Sequence, residues 1–274
     1  MSKPRLLLLP VLLFGMFMLP AHTFAAGKCE RVIVTGSPDA PPYLWRNPQD
    51  PTHLMGANAD LFKQASQEIG LKVEILYAGK RSQALDEVRS GRMDMLIDAP
   101  LTNAELESLD YIHPSLTQNE IMVWTRRDHA QPFNAMADLH GHAGGMSEKI
   151  RLTPVFETAA AEHLSLERTA NLTVAFQSLM LGHFEYVLAG RYSGLAMTQT
   201  LGLSVDVIAQ PLPLDKTGLY LGLSFNSACN EPWLRGQLTK KMTELAASGL
   251  SGDAVTRNLE LWKAQLQPAS APNK

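Results

Sequence analysis

The chain has 274 residues, and its 24 Lys and Arg against 27 Asp and Glu set a net charge of −3. This length is enough for one large domain or for two lobes with separate hydrophobic cores. The slightly acidic balance excludes the basic footprint of a nucleic-acid-binding protein, so no nucleic-acid partner is expected.

The N-terminus has the pattern of a secretory signal peptide. Lys3 and Arg5 precede an apolar run over residues 6–19, and Thr23 and Ala25 place small residues where a signal peptidase reads them. The apolar run is short for a membrane span, and no later stretch is a better candidate. Cleavage after Ala25 removes 25 residues and lowers the net charge to −5, and it predicts an exported, periplasmic protein.

The sequence contains two cysteines, Cys29 and Cys229. An oxidising compartment favours a disulfide between them, which would tie the first strand to a late segment of the chain. Two unpaired, buried thiols are the alternative, and a thiol titration of the denatured, unreduced protein separates the two.

Strands and helices alternate after the signal peptide. The apolar patterns predict strands over residues 31–37, 71–77 and 93–99 and helices over residues 58–70 and 82–90. This β-α-β-α-β order predicts an α/β fold with a mainly parallel sheet and right-handed crossovers. Ligands of such sheets bind beyond the carboxyl ends of the strands.

The segment VIVTGSPDAPPYLW, residues 32–45, begins as a strand and stops at three prolines. Asp39, Tyr43 and Trp45 follow the carboxyl end of this strand, where the prolines restrict the turn and lower the entropy cost of ordering it. These side chains are therefore candidates for a ligand-binding wall. The alternative is that the rings cap the edge of the sheet, since buried aromatic residues are more often core than ligand platforms.

The end of the chain is informative mainly about stability. Helical spacing predicts a helix over residues 231–248 that stops at Gly249, and a final helix over residues 259–266 that contains Trp262. Residues 267–274 have the composition of a polar, flexible tail. A stripe of apolar residues that faces the core explains both helices without a partner protein.

Several segments resemble the family 3 periplasmic solute-binding proteins, which are best known for binding polar amino acids. The segments that match the first lobe of that family in order and spacing are VIVTGSPDAPPYLW, MGANADLFKQASQEIGLKVEIL, ALDEVRSGRMDMLIDAPLTNAE and LDYIHP. Looser similarities follow in DLHGHAGG, LMLGHFEYVLAG and TELAASGL. The resemblance covers nearly all of the mature chain.

The resemblance implies a two-lobe clamshell of the type II periplasmic-binding-protein fold. Its first lobe would comprise residues 26–123 and 220–266, and its second lobe residues 127–214. Crossing strands near residues 122–126 and 214–222 would form the hinge. Such proteins close over a small polar solute and deliver it to the permease of an ABC transporter. We expect a monomer that needs no cofactor and no metal.

The resemblance carries over to the ligand site only in part. Amino-acid binders of the family have a threonine followed three residues later by an arginine that clamps the carboxylate of the ligand. Here Thr102 is retained, but Glu105 stands at the arginine position. The second-lobe carboxylate for the ligand ammonium is also missing, since that segment reads Ala189, Gly190 and Arg191. A lost bidentate arginine costs about 1.5–3 kcal/mol of carboxylate affinity, so ordinary amino acids are disfavoured.

Other polar groups are expected to line the cleft. The candidate ligand-binding residues are Asp39, Tyr43, Trp45, Arg81, Pro100, Thr102, Ser147, Arg191 and Tyr192. Ser147 lies in a turn before an expected helix, whose free N–H groups could receive an anion. We therefore predict a ligand with an anionic or strongly polar group, held by Arg81 and Arg191 and with its apolar part against an aromatic ring.

Each charged candidate also has a structural interpretation. Arg81 would be a solvated turn charge, because exposed arginines are the common case. Arg191 would pair with Glu185 or Asp206. Glu105 would cap or solvate the first turn of a helix, where a carboxylate is favoured.

Two other function classes remain open. The sequence has no nucleophile elbow, phosphate-binding glycine loop or HExxH motif, so we expect no enzymatic activity. A few relatives on this fold are nevertheless cyclohexadienyl-dehydratase-like enzymes. His140 and His142 lack further metal ligands at suitable spacing and are expected to be solvated. The other alternative to transport is a ligand-sensing partner of a membrane receptor.

Overall fold

The computed structural model describes residues 28–129 and 131–266. The predicted signal peptide, residues 1–25, and the predicted tail, residues 267–274, lie outside the described residues. Within the described part of the chain, no helix is both long enough and apolar enough to cross a membrane.

Strands and helices alternate through most of the described chain. The strands are β1 (Arg31–Thr35), β2 (Asp39–Ala40), β3 (Leu44–Arg46), β4 (Leu54–Met55), β5 (Lys72–Ile75), β6 (Met95–Pro100), β7 (Leu109–Arg126), β8 (Ala143–Ser147), β9 (Ser165–Thr169), β10 (Tyr186–Gly190), β11 (Val207–Ala209) and β12 (Asp215–Ser224). The α-helices are α1 (Ala57–Glu68), α2 (Arg81–Arg89), α3 (Asn103–Leu106), α4 (Pro154–His163), α5 (Leu172–Met180), α6 (Arg191–Thr200), α7 (Pro232–Ser248) and α8 (Leu250–Leu266).

One mixed sheet organises most of these elements, and β2, β3 and β4 form a separate small sheet. The strand order of the mixed sheet is β5-β1-β6-β12-β7-β10-β8-β9, with β11 paired to β7. Parallel pairs form both flanks, where β1 joins β5 and β6 on one side and β8 joins β9 and β10 on the other. The long strands β7 and β12 run antiparallel in the middle and link the two flanks. The predicted α/β fold with parallel sheets and two crossings is therefore confirmed.

The crossing lies slightly earlier in β7 than predicted. Residues 117–121 of β7 pair with residues 215–219 of β12. Residues 122–126, which were expected at the crossing, pair instead with β10 and β11. Because β7 is one continuous strand of 18 residues, no break in the sequence marks the point where it passes from one flank to the other.

Buried side chains form a core beside each flank. The first core is a cluster that includes Val34, Phe62, Ile97, Leu223 and Leu238. The second core occupies both faces of the other flank, because alternate residues of a strand point to opposite sides. Its two clusters include Ile121, Val123, Met146 and Tyr186 on one face and Met122, Trp124, Phe176 and Val187 on the other.

A disulfide beside the first core joins the beginning of the described chain to a segment near its end. Cys29 and Cys229 are bonded, with Cα atoms 5.3 Å apart and 200 residues apart in sequence. Both cysteines contact the cluster of the first core. The predicted disulfide is therefore confirmed.

The last helix is longer than predicted. It starts at Leu250, nine residues before the expected start, and directly follows Gly249, whose φ of 75° ends α7. Gly252, within its first turn, has low intrinsic helix propensity and hides the start in the sequence. Packing compensates, because Ala254, Val255 and Asn258 are buried at helical spacing.

Candidate functional site

The turn that follows β1 is hydrogen-bonded to the carboxyl-terminal half of the parallel strand β6. The Ser37 N–H donates to Oδ2 of Asp98 at 2.9 Å, and Asp98 is the fourth residue of β6. Gly36 permits this approach, since a Cβ at that position would lie 2.6 Å from Oδ1 of Asp98. The turn after β1 is thus held against the end of its parallel neighbour, at the edge where ligands of such sheets bind.

Arg81 lies between two buried carboxylates at this edge. Its Nη1 donates to Oδ1 of Asp98 and its Nη2 to Oε1 of Glu105, each at 3.2 Å. Nη1 also donates to Oγ of Ser37 at 2.9 Å. Burial acts to lower the pKa of Arg81, but the charges of Asp98 and Glu105 outweigh it and raise the pKa above its ordinary value. Arg81 is therefore a charged member of an ion-paired cluster and not a solvated turn residue.

Glu105 completes this Arg81 cluster, which we define as Ser37, Arg81, Asp98, Glu105 and Tyr111. Glu105 is 8% exposed, and its Oε2 accepts a hydrogen bond from Oη of Tyr111 at 3.0 Å. Burial raises the pKa of Tyr111, so the phenol stays a hydrogen-bond donor. Glu105 lies in the first turn of a helix, α3, as predicted, but its carboxylate is buried and not solvated, because it pairs with Arg81.

Thr102 and Pro100 support the same cluster. Oγ1 of Thr102 accepts a hydrogen bond from the Glu105 N–H at 3.3 Å and caps α3. The carbonyl oxygen of Pro100 accepts a hydrogen bond from Oη of Tyr111 at 2.6 Å. Both predicted site residues therefore lie beside the Arg81 cluster, and their polar groups have partners within the protein.

The structure brings Tyr43 and Tyr192 together. Their ring centroids are 6.4 Å apart in an edge-to-face arrangement. Tyr43 is 2% exposed, and its Oη donates to the carbonyl oxygen of Gln118 at 3.0 Å. Burial raises the pKa of Tyr43 well above its ordinary value. The contact joins the turn between β2 and β3 to the start of α6, and both rings contact the cluster of the first core.

Trp45 has a different environment. Its indole N–H donates to Oε1 of Gln265 at 3.1 Å, and its ring lies 5.6 Å from that of Trp262. Only 2% of Trp45 is exposed. These contacts are with α8 and are those of a core residue, which was the alternative for this ring.

Arg191 pairs with a strand that links the two flanks. Its Nε donates to Oε2 of Glu120 at 2.8 Å, and Nζ of Lys216 lies 2.9 Å from Oε1 of the same carboxylate. Hydrogen bonds from Lys216 and Arg191 hold the pKa of Glu120 below its usual range. The expected structural partners, Glu185 and Asp206, are replaced by Glu120, because β7 and β10 are neighbours in the sheet.

An ion pair joins the turn after β1 to the end of β8. Nζ of Lys149 contacts Oδ2 of Asp39, and the two side chains are 58% and 51% exposed. Lys149 follows shortly after Ser147, whose Oγ accepts its backbone N–H at 3.2 Å. The sequence analysis does not include Lys149 among the candidate site residues, because its partner Asp39 lies 110 residues away in the chain. Its position just beyond the end of a strand is nevertheless typical of a ligand-binding residue in such a sheet.

The expected helix does not follow Ser147 directly. α4 begins at Pro154, and Thr153 is its N-cap residue. Asp215 accepts hydrogen bonds from the N–H and the Oγ1 of Thr153, at 2.7 and 2.9 Å. The helix expected to follow Ser147 begins only after a loop, and a carboxylate of the protein already binds the N–H of its N-cap residue.

His140 and His142, which are close in sequence, contact different residues. Nδ1 of His142 lies 2.7 Å from Oε2 of Glu185, whereas the ring of His140 lies beside that of His163. Over residues 28–129 and 131–266, no group of three or more His, Cys, Asp and Glu side chains is arranged to hold a metal ion.

Comparison with known proteins assigns this chain to a family. Residues 32–257 match the bacterial extracellular solute-binding proteins, family 3. The chain belongs to this family. The predicted family is thereby confirmed. No protein of curated function matches the sequence.

Solved structures that resemble this family 3 protein include binding proteins and receptor domains. The amino acid ABC transporter substrate-binding protein AbpA from Streptococcus pneumoniae, bound to L-arginine, is 16% identical, with 85% of this chain and 96% of that chain covered and a TM-score of 0.63. A histidine kinase sensor domain with similarity to periplasmic binding proteins is 18% identical, with 84% and 96% covered and a TM-score of 0.63. The GluR0 ligand-binding core in complex with L-glutamate is 18% identical, with 85% and 99% covered and a TM-score of 0.64.

Proposed function

We propose that this family 3 protein closes two lobes over a small polar organic solute and delivers it to the permease of an ABC transporter. The first lobe would comprise residues 26–123 and 220–266, and the second lobe residues 127–214. The separate cores beside the two flanks of the sheet support this division. Removal of residues 1–25 would release a periplasmic monomer with a flexible tail at residues 267–274.

The observation that carries the proposal is that polar groups from both cores meet at their junction. Asp39 beside the first core contacts Lys149 beside the second. A solute can favour the closed arrangement only if it binds that arrangement more tightly than the open one. Side chains that approach each other from both proposed lobes, as Asp39 and Lys149 do, would meet this requirement.

The proposed binding residues follow from this placement. They are Asp39, Tyr43, Arg81, Pro100, Thr102, Ser147, Lys149, Arg191 and Tyr192. Within this set, Arg81 and Arg191 organise the walls and do not grip an anion directly, because each is already paired with carboxylates. Trp45 is left out, since its ring packs on α8.

Binding without catalysis is the proposed activity. The family is one of solute-binding proteins, one similar solved structure is an ABC transporter substrate-binding protein, and both buried carboxylates of the Arg81 cluster are held by an arginine. We expect no aromatic product when the protein, at high concentration, is incubated with a cyclohexadienyl carboxylate. Release of such a product, lost in a Glu105→Gln variant, would identify an enzyme instead.

Small-angle scattering and thermal unfolding test closure directly. Native mass spectrometry of the freshly purified protein first identifies any solute that co-purifies, and a broad panel of metabolites follows. We expect one chemical class to reduce the radius of gyration and to raise the melting temperature together. If no compound in the panel changes either quantity, the proposed function is wrong.

The membrane partner is tested separately. A pull-down from membranes with the solute-loaded protein is expected to recover the permease of an ABC transporter. Recovery of a sensor kinase or cyclase receptor in its place would support signalling and contradict transport.

A further inference from the structure

Histidines are concentrated in one part of the chain. The sequence contains eight histidines, and His22 lies outside the described residues, which leaves seven. Five of these seven lie within residues 129–183, and they are His129, His140, His142, His163 and His183. The topology of the sheet decides whether they are also close in space.

The sheet brings these histidines to one edge of the second core. β8, β9 and β10 are parallel, and His142, His163 and His183 come just before their first residues. β7 runs antiparallel to β10, so His129, which follows β7, lies at the same edge. The carboxyl ends of β8, β9 and β10, and with them Ser147, lie at the opposite edge. The edge with the five histidines, which we call the histidine edge, is therefore separate from the proposed solute site.

His140 and His163 contact each other at the histidine edge. Their ring centroids are 5.5 Å apart, and the ring planes are inclined by 41°. His140 directly follows the 3₁₀ helix Met136–Leu139, whereas His163 is the last residue of α4. Both residues are exposed, so each ring is free to rotate about its side-chain bonds. The two imidazoles are thus supplied by different elements and are open to solvent.

The distance between these two rings matches a chelating pair. A tetrahedral Zn²⁺ ion that lies about 2.0–2.1 Å from one nitrogen of each ring places the two ring centroids about 5 Å apart. The observed 5.5 Å is close to this spacing. One metal ion therefore fits between the imidazoles of His140 and His163 with only a small rotation of exposed side chains.

Two other histidines of this edge are already engaged. Nδ1 of His142 lies 2.7 Å from Oε2 of Glu185, and its ring packs edge-on against Phe133. Nδ1 of His129 lies 3.2 Å from Oδ2 of Asp128. These contacts leave His140 and His163 as the pair that an ion from solvent can reach most readily.

We propose that His140 and His163 bind a divalent transition metal ion of the zinc, nickel and copper class. Imidazole nitrogens suit these ions, whereas Mg²⁺ and Ca²⁺ require oxygen ligands. Oε2 of Glu162 is 3.7 Å from Nε2 of His163, and this exposed carboxylate adds a negative charge that favours a bound cation. Over residues 28–129 and 131–266, no three side chains are arranged around one metal position, so water completes the coordination.

A bound ion would link the segment before β8 to the end of α4. Because the two imidazoles come together only in the folded protein, the ion stabilises the folded state by mass action. We therefore expect the melting temperature to rise with the concentration of Zn²⁺. The effect requires neither a solute nor closure of the lobes.

Calorimetry on the untagged mature protein, first dialysed against EDTA and then freed of it, tests the site. We expect one Zn²⁺, Ni²⁺ or Cu²⁺ ion to bind per chain, with Cu²⁺ the tightest, and no binding of Ca²⁺. His140→Gln and His163→Gln should each weaken binding at least about tenfold, because a single imidazole cannot chelate. The melting temperatures of both variants without metal should equal that of the wild type, since the rings are exposed.

His183→Gln is the matched control, because it removes an exposed histidine of the same edge and leaves the pair intact. Its affinity for Zn²⁺ and its stabilisation by the ion should equal those of the wild type. Equal losses of affinity in His183→Gln and His140→Gln overturn the inference, and so does the absence of binding by all three transition metal ions. Equal affinity for Ca²⁺ overturns it as well, since it identifies a carboxylate site. None of these results affects closure over a solute, which scattering measures independently on the metal-free protein.

Discussion

Arg81 and Glu105 form an ion pair at the position where the family resemblance places a ligand-binding arginine. The family resemblance places an arginine where Glu105 stands, and Arg81 approaches that carboxylate from the start of α2. The ion pair therefore forms beside the first core, and we expect it to leave less charge for a solute. It stabilises the edge of the large sheet beside the turn that leads from β1 to Asp39.

Removal of Arg81 is expected to destabilise the fold. Arg81→Met leaves Asp98 and Glu105 buried without their cation and should lower the free energy of unfolding by about 3 kcal/mol. Urea denaturation measures this loss. Arg92→Met, which opens a largely exposed pair with Glu87, should cost far less because solvent screens that pair. Equal losses in the two variants would contradict a structural role of the cluster.

Glu120 predicts a pH dependence with a definite sign. Hydrogen bonds from Lys216 and Arg191 hold its pKa below the ordinary value of 4.5 in the folded protein. A depressed folded pKa gives a stabilisation that is present above pH 4.5 and is lost as the pH falls through the folded value. Melting temperatures of the wild type and of Glu120→Gln should therefore differ near neutral pH and converge in acid. A gap that stays constant to about pH 3 would contradict this assignment.

The individual elements show what a sequence pattern can and cannot specify. α1, α2 and α7 lie within two residues of their predicted bounds, because their spacing and glycine stops are local signals. The start of α8 was missed because it depends on packing against α1 and α6 and not on local propensity. Ion pairs such as that of Asp39 with Lys149 could not be predicted from the sequence either, because they depend on which strands become neighbours in the fold.

The packing of β3 on α8 gives a prediction for Trp45. Trp45→Ala removes the contact with Trp262 and the hydrogen bond to Gln265 and should lower the free energy of unfolding by about 3 kcal/mol. Because these contacts are with α8, solute affinity measured on the folded variant should change by less than about twofold. A variant with normal stability and poor binding would return Trp45 to the solute site.

At the scale of the whole molecule, a crowded crossing connects the two cores. Gly190 ends β10 and pairs with Ile121 of β7. A Cβ at Gly190 would lie 2.1 Å from Oδ1 of Asn119, a buried oxygen for which the described residues supply no hydrogen-bond partner. The crossing thus has no room for an added methyl group.

Gly190→Ala is expected to reveal this constraint. The added methyl group should cost about 1–3 kcal/mol in unfolding free energy, and a second substitution, Asn119→Ala, should recover most of the loss. Gly236→Ala serves as the control, since no atom lies within 4 Å of its Cβ on α7 and helix propensity improves. If the double variant is no more stable than Gly190→Ala, steric crowding is not the cause.

The position of β12 between β6 and β7 has a consequence for biosynthesis. The buried residues of the second core all lie between Ile121 and Val207, so a growing polypeptide can assemble them early. The first core also requires Leu221, Leu223 and residues of α7 and α8, which are synthesised last. Until they emerge, β6 and β7 have open edges that are prone to aggregation. The second core can therefore fold before the first core is complete. A chaperone would be needed most in the interval between these two steps.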